Sequence, residues 1–302
     1  MSVGALAVDI GATKIAFGTI DSTGKIEQKL EVRIENKDSE QIWLSIEQAT
    51  QNLLQESKIE INGVGIASAG PIFLQDGTIS PVNISAWRRF PILNRFKELI
   101  NSERVFLCGD AMAVANAEHK FGAGRGLSNF LGMVVSTGIG GGLIINDSLF
   151  LGDSGNSGFL GHQSIDVHGE ECACGRKGCL ESLASGPKMV EHAKTIGWNM
   201  GSDFVDLAES ARQGDEIAKS AIDRGARALA VGITNTLASI DVHHVVIGGG
   251  VTEAGEIFWA PLRKHLENES SLVGFLKDKI DVRQAQLRRD AGLIGASLLV
   301  LT

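Results

Sequence analysis

A shift of 127 residues sets Gly11, within AVDIGATKIAFGTID, on Gly138, within MVVSTGIGGGLIIND. Each copy reads as an apolar strand, a Gly-containing turn and a second apolar strand. The spacing is far too long for a solenoid, whose repeats run to about 20–50 residues. It predicts a chain built as two halves of similar architecture. Chance likeness of two apolar hairpins is the competing reading, but the turn and both flanking strands match. A length of 302 residues suits two domains better than one small core.

The rest of the chain alternates strand and helix signals, which indicates an α/β architecture. Residues 5–10 and 15–20 form the first hairpin, closed by Asp21-Ser22-Thr23-Gly24. Ile42, Ile46, Ala49 and Leu53 recur at helical spacing and predict a helix over Ser39–Glu56, capped by Asp38 or Ser39. Residues 64–67 and 104–108 read as strands, and residues 111–121 as a helix. Residues 146–158, rich in Gly, Ser and Asp, read as a long loop, with helical patterns from Pro187 onwards. Residues 245–247 form a buried-strand run that ends in Gly248-Gly249-Gly250, and Ala291–Leu301 reads as an apolar helix.

Charge and composition exclude several classes. The 28 basic and 36 acidic residues leave a net charge of −8, and no basic stripe marks a nucleic-acid binder. A hydrophobic fraction of 43% supports a substantial core. No stretch approaches the roughly 18 apolar residues of a membrane span. The opening MSVGALAVDIGATK has no basic segment and reaches Asp9 early, so no signal peptide is expected. Four cysteines without a secretory signal point to a reducing compartment, and the expected location is cytoplasmic.

Cys172, Cys174 and Cys179 place three thiols within eight residues, with His162 ten residues upstream. Three thiolates and one imidazole match a closed, tetrahedral structural zinc site. His168 is the rival fourth ligand. Gly175 and Gly178 allow the tight turns such a site needs. A disulfide is the weaker alternative in a reducing compartment, and Cys108, in a predicted strand, reads as a small core hydrophobe.

Three Gly-rich turns follow strands: Gly11 to Lys14, Thr137 to Gly142, and Gly248 to Gly250. Their backbone N–H groups could wrap phosphate oxygens, or they could be plain turns. The common nucleotide fingerprints are absent: Gly24-Lys25 is followed by Ile26, and no G-x-G-x-x-G opens a helix after the first strand. Asp110 ends a predicted strand, where it is either a general base or a helix cap. Asp9 lies in an apolar run, where a carboxylate is costly unless it meets a cation or hydrogen-bond donors.

Taken together, DIGATK, STGIGGG, GHQSIDVHGEECACGRKGCLES, VVIGGGV and DAGLIGAS resemble the ROK family of sugar kinases and repressors. The blocks span nearly the whole chain, and the element C-x-C-G-x-x-G-C-x-E, ending at Glu181, is highly specific. The resemblance implies an actin-like ATPase (ribonuclease H-like) fold with two similar domains around a cleft. Their expected limits are 1–118 with 290–302, and 119–289. Repressor members carry a DNA-binding domain ahead of the first hairpin, which here starts by Ala5, so the kinase branch is expected.

Within that branch the likeness is to bacterial members acting on N-acetylmannosamine. It implies ATP-dependent formation of N-acetylmannosamine 6-phosphate, with Mg2+ on the nucleotide and structural Zn2+. Asp110 matches the catalytic base that takes the proton of the sugar 6-hydroxyl. Gly70, Asn83, His162 and Glu181 match sugar-pocket positions, with His162 also on zinc beside Cys172, Cys174 and Cys179. Asp9, Gly11, Thr13 and Lys14 match the first phosphate loop, Thr137 and Gly138 the second, and Gly249 and Gly250 the adenosine region. The expected partners are sugar and ATP, with no nucleic acid and no membrane, in a homodimer.

Two positions depart from the family pattern. Phe159 stands where most members carry a Glu three residues before the zinc histidine, and Gly109 stands where Asn precedes the catalytic Asp. Phe159 either packs on an apolar part of the ligand, such as an N-acetyl methyl group, or fills core. Another hexose or N-acetylhexosamine as substrate, glucose among them, and a non-catalytic sugar sensor are the competing functions.

Overall fold

The computed structural model describes residues 3–11, 13–34 and 38–302. Ala12, inside the first Gly turn, lies outside the described residues. In chain order the elements are β1 (Val3–Ile10), β2 (Lys14–Asp21), β3 (Ile26–Arg33), α1 (Ser39–Glu56), β4 (Glu60–Ser68), β5 (Ile72–Phe73) and β6 (Thr78–Ile79). They continue with α2 (Ile92–Ile100), β7 (Val105–Gly109), α3 (Asp110–Phe121), β8 (Phe130–Val135), β9 (Ile139–Ile145) and β10 (Ser148–Phe150). The last are α4 (Leu180–Ala184), α5 (Gly186–Thr195), α6 (Phe204–Arg212), α7 (Glu216–Ile240), β11 (His244–Gly248), α8 (Glu256–Ser271), β12 (Asp281–Gln284) and α9 (Ala291–Leu301).

The duplication is visible in the sheets. One runs β3-β2-β1-β4-β7 and the other β10-β9-β8-β11-β12. In the first, β1 is antiparallel to β2 and parallel to β4, and β4 is parallel to β7. In the second, β9 is antiparallel to β10, and β11 is parallel to both β8 and β12. A hairpin extended by a third strand, then two parallel strands, occurs twice.

The chain divides into two compact units: residues 1–126, 142–157 and 287–302, and residues 127–141 and 158–286. The expected boundaries stood at 118/119 and 289/290, with residues 142–157 in the second domain. These residues join the first unit because the end of β9 lies against α3. A Cβ on Gly142 would stand 2.7 Å from Met112 Cα and 2.9 Å from Ala115 Cβ. The segment read as a loop at 146–158 also contains β10. Asn146 and Asp147 both take positive φ, 51° and 61°, and form the two-residue hairpin loop between β9 and β10.

In the first unit, α1 begins with a capping box between Asp38 and Gln41. It buries Trp43 and Ile46 against the sheet's apolar face together with Phe17, Ile66, Trp87 and Phe96. Trp43 meets Phe96 edge-on at 5.2 Å, and Trp87 stacks on Phe90 at 4.3 Å. Helix α9 covers the other face, with Leu293 and Ala296 beside Ala7, Ala67 and Cys108. In the second unit, Phe130, Met133, Val245 and Ile247 are buried on the strands, and Leu180, Met189, Leu229 and Phe258 on the helices.

Candidate functional site

Strand register places the first set of candidate residues. Ile10 on β1 lies opposite Ser68 on β4, and Ser68 lies opposite Gly109 on β7. Asp9, the penultimate residue of β1, and Gly11, Gly70 and Asp110, just past their strands, therefore gather at the edge of the sheet formed by the carboxyl ends of the parallel strands, where α/β proteins bind ligands. Asp110 is the first residue of α3, and Ala111 N–H donates to its Oδ1 at 2.7 Å. The Asp110 carboxyl is open to solvent yet crowded by protein on most sides. That desolvation raises it above the usual carboxylate range, while backbone hydrogen bonds from Ala111 and its own amide act in the opposite sense.

Asp9 is pushed up from 3.8 to about 7, first by burial and then by the charge of Asp110, with Lys14 and Lys29 opposing. Helix α9 leaves room for it. A Cβ on Gly292 would stand 2.2 Å from Asp9 Oδ2, so only glycine lets the carboxylate lie against the start of that helix. A hard oxygen donor beside a position without a side chain suits Mg2+. Gly292 was not singled out from the sequence, although the DAGLIGAS block contains it.

Other members of the first set are placed differently. Lys14 Nζ pairs with Glu31 at 2.7 Å on an exposed surface, and Thr13 is exposed. Asn83 is exposed on a turn closed by Ile84 N–H donating to the Pro81 carbonyl at 3.1 Å. Among the described residues no hydrogen bond links Asn83 to the Asp9–Asp110 edge. Gly109 has ordinary extended dihedrals, φ −68° and ψ 150°. A Cβ there would meet first the flexible Met112 side chain, its Sδ 3.2 Å away.

The second unit carries the other candidates. Thr137 and Gly138 follow β8, and Gly249 and Gly250 follow β11, whose Gly248 pairs with Val134. Glu181, on α4, lies against the first of these turns. Its Oε2 accepts the Ile139 N–H at 2.8 Å and would stand 2.7 Å from a Cβ on Gly138. The start of α5 is tied to the same turn, because Gly186 N–H donates to the Ser136 carbonyl at 2.8 Å. Neither backbone contact leaves a side-chain signal in the sequence.

His162, Cys172, Cys174 and Cys179 offer ligand atoms that all lie within 4.8 Å of one another. His162 Nδ1 is 3.4 Å from Cys172 Sγ, and Cys174 Sγ is 3.6 Å from Cys179 Sγ. A zinc tetrahedron with bonds of about 2.0–2.3 Å has edges of about 3.5–3.8 Å, which these separations approach. His168 is exposed and is not part of the cluster. The turn depends on glycine: Gly178 has φ 58°, and a Cβ there would fall 1.6 Å from the Asp166 carbonyl oxygen. Burial, then the neighbouring thiols of Cys174 and Cys172, push Cys179 up to about 12. At Cys174 burial also acts upward, but hydrogen bonds from the Arg176 N–H and the neighbouring thiols outweigh it and hold the thiol below its ordinary value. Metal binding takes cysteines as thiolates, so a cation would be what this cluster is built to hold. Cys108 is fully buried, and burial raises its thiol, as suits a core residue.

The profile of the ROK family matches residues 5–302. The chain belongs to the ROK family. It is 34% identical over 297 residues to an N-acetylmannosamine kinase of Shigella boydii serotype 18, covering 97% of each chain. It superposes on a ROK hexokinase from Thermus thermophilus with a TM-score of 0.87 and 31% identity, covering 98% of this chain and 97% of that one. A ROK glucokinase from Streptomyces griseus, solved with glucose and AMPPNP, gives a TM-score of 0.83 and 31% identity over 98% of both chains. The fold is thus the α/β, actin-like ATPase fold of ROK sugar kinases, with two domains of similar topology. No helix among the described residues is long and apolar enough to cross a membrane.

Proposed function

We propose that this ROK protein is an ATP-dependent sugar kinase that transfers the γ-phosphoryl group of ATP to the 6-hydroxyl of N-acetylmannosamine. The observation that carries the reading is Asp110, an accessible carboxylate in a crowded setting at the carboxyl edge of the first sheet. Crowding by protein raises its proton affinity above that of an ordinary carboxylate, the direction a general base needs. The named relatives support the substrates: an N-acetylmannosamine kinase at 34% identity and a glucokinase solved with a nucleotide analogue.

Phosphoryl transfer asks a protein mainly for positioning and charge stabilisation. As the sugar 6-oxygen bonds to the γ-phosphorus, its proton passes to Asp110. The bond from the γ-phosphorus to the bridging oxygen breaks, and ADP leaves with that electron pair. Asp9 and the Gly11 turn would hold the phosphate end of the nucleotide, as would Thr137 and Gly138. Gly249 and Gly250 would lie along its adenosine. Asp9 would hold Mg2+, which would offset phosphate charge. His162, Cys172, Cys174 and Cys179 would hold zinc as a cross-link of the 162–179 segment, with His162 and Glu181 facing sugar hydroxyls. The thiol-rich cluster suits the reducing cytoplasm.

The test is ADP release by zinc-replete protein with ATP and Mg2+. N-acetylmannosamine, N-acetylglucosamine, glucose and mannose are compared, with the Asp110→Asn variant as control. Strongest turnover on N-acetylmannosamine, lost in Asp110→Asn, is expected. Preference for another sugar moves the substrate and keeps the mechanism. Sugar binding without ADP release from any sugar overturns the kinase assignment.

A further inference from the structure

Phe159 is a large apolar side chain left 47% exposed, and its ring packs on a residue of the zinc cluster. The ring centroid lies 4.8 Å from that of His162, with the planes tilted by 41°. Its place is set by the backbone. The following short 3-10 turn, Leu160–His162, begins at Phe159, and His162 N–H donates to the Phe159 carbonyl. Gly161, inside that turn, is pressed on the strand that follows the second Gly turn. A Cβ at Gly161 would stand 2.2 Å from the Ile139 carbonyl oxygen and 3.3 Å from Glu181 Oε2. The turn therefore lies against Ile139 and Glu181, and the Phe159 ring stands beside the same groups that would bind sugar.

We propose that Phe159 is a specificity-determining residue that takes the methyl group of a 2-acetamido sugar against its exposed ring face. The inference rests on the sugar-kinase reading and deepens it. A phenyl ring can neither donate nor accept a hydrogen bond, so a sugar hydroxyl brought against it loses water without a replacement partner. A methyl group brought to the same place loses only apolar surface to water, which is favourable. Discrimination of this kind comes both from the contact made with one ligand and from the unmet polar group of the other. The tilted His162 imidazole covers part of the ring, and the 47% of the side chain left exposed is what a ligand can reach.

The experiment compares the zinc-loaded wild type with Phe159→Ala, Phe159→Glu and Val205→Ala. Val205 is an exposed apolar side chain of the same unit, 71% accessible, outside the 162–179 segment. For each protein, kcat/KM is measured on N-acetylmannosamine and on mannose, and binding of both sugars is measured by calorimetry. The ratio of kcat/KM values is expected to fall by about 10-fold or more in both Phe159 variants, the range of a single apolar pocket contact, and to stay unchanged in Val205→Ala. Full zinc content in each variant separates this effect from loss of the cluster. An unchanged ratio in both Phe159 variants overturns the inference while leaving the kinase reading intact. If the wild type turns over neither sugar but its preference in binding depends on Phe159, the kinase reading fails and the inference stands. Absence of N-acetylmannosamine binding to the wild type overturns it.

Discussion

Glu181 Oε2 accepts the Ile139 N–H at 2.8 Å, which ties the helix that follows the zinc cluster to the Gly turn between β8 and β9. Ile139 is buried, so its amide has no water to fall back on. Replacing Glu181 with Ala leaves that donor unpaired at a cost of about 1–3 kcal/mol. Glu181→Ala is expected to lower the thermal midpoint and to abolish most sugar turnover. Glu181→Gln keeps an acceptor oxygen, so it should retain the midpoint and lose turnover. Differential scanning calorimetry beside ADP release distinguishes the two.

Removing the metal should separate sugar use from nucleotide binding. Three thiols and an imidazole are drawn together at 162–179, whereas Asp9 and Gly11 stand on a different unit. Chelation, or Cys174→Ala, is expected to eliminate sugar turnover while nucleotide binding partly survives. Restoring zinc should rescue the chelated wild type and not the variant. Full turnover by metal-free protein, verified by elemental analysis, would contradict this role.

Asp9 makes stability depend on pH in an unusual direction. Its folded pKa is raised, from 3.8 to about 7, so the folded state holds a proton that the unfolded chain has already released. The contribution is fully present below pH 3.8 and is lost as pH rises towards 7. In metal-free protein, wild type should therefore lose stability relative to Asp9→Asn across this window. Urea denaturation of both proteins at several pH values measures the difference, and parallel curves would refute it. Mg2+ should oppose the loss, because a cation favours the ionised carboxylate.

Gly292→Ala tests the cradle around Asp9. The added methyl would stand 2.2 Å from Asp9 Oδ2, so the carboxylate must turn away. The expected result is a rise in KM for Mg-ATP and a fall in kcat, with sugar affinity little changed. Steady-state kinetics with each substrate varied in turn gives the answer.

Gly109→Asn examines the residue before the base. The backbone there accepts any side chain, and the nearest group is the Met112 thioether, 3.2 Å from a Cβ on Gly109, which must shift by a few tenths of an ångström. One added hydrogen bond to sugar is worth about 0.5–1.5 kcal/mol, so KM for sugar should fall roughly 2–10-fold. Calorimetric titration of the variant with N-acetylmannosamine and glucose shows which sugar benefits.

Local pattern carried much of the fold. Ile42, Ile46, Ala49 and Leu53 marked α1 to its observed ends, because a surface helix shows its buried face in the spacing of apolar residues. The uniformly apolar run Ala291–Leu301 marked α9. The repeated hairpin announced the duplicated sheets. The short edge strand β10 escaped notice, because Asn146 and Asp147, read there as loop residues, are what a tight hairpin turn also requires.

Chemistry that resides in residue type was legible from order alone: three cysteines and a histidine at close spacing, an aspartate at a strand end, and glycine turns after strands. The tertiary structure decided which histidine joins the cysteines, since His162 and His168 both lie within reach along the chain and only folding draws one of them in. It also decided that residues 142–157 belong with the first unit, that Gly292 makes space for Asp9, and that Glu181 holds Ile139. Those relationships depend on backbone groups and on empty space between segments far apart in sequence. Neither has a side chain to signal it.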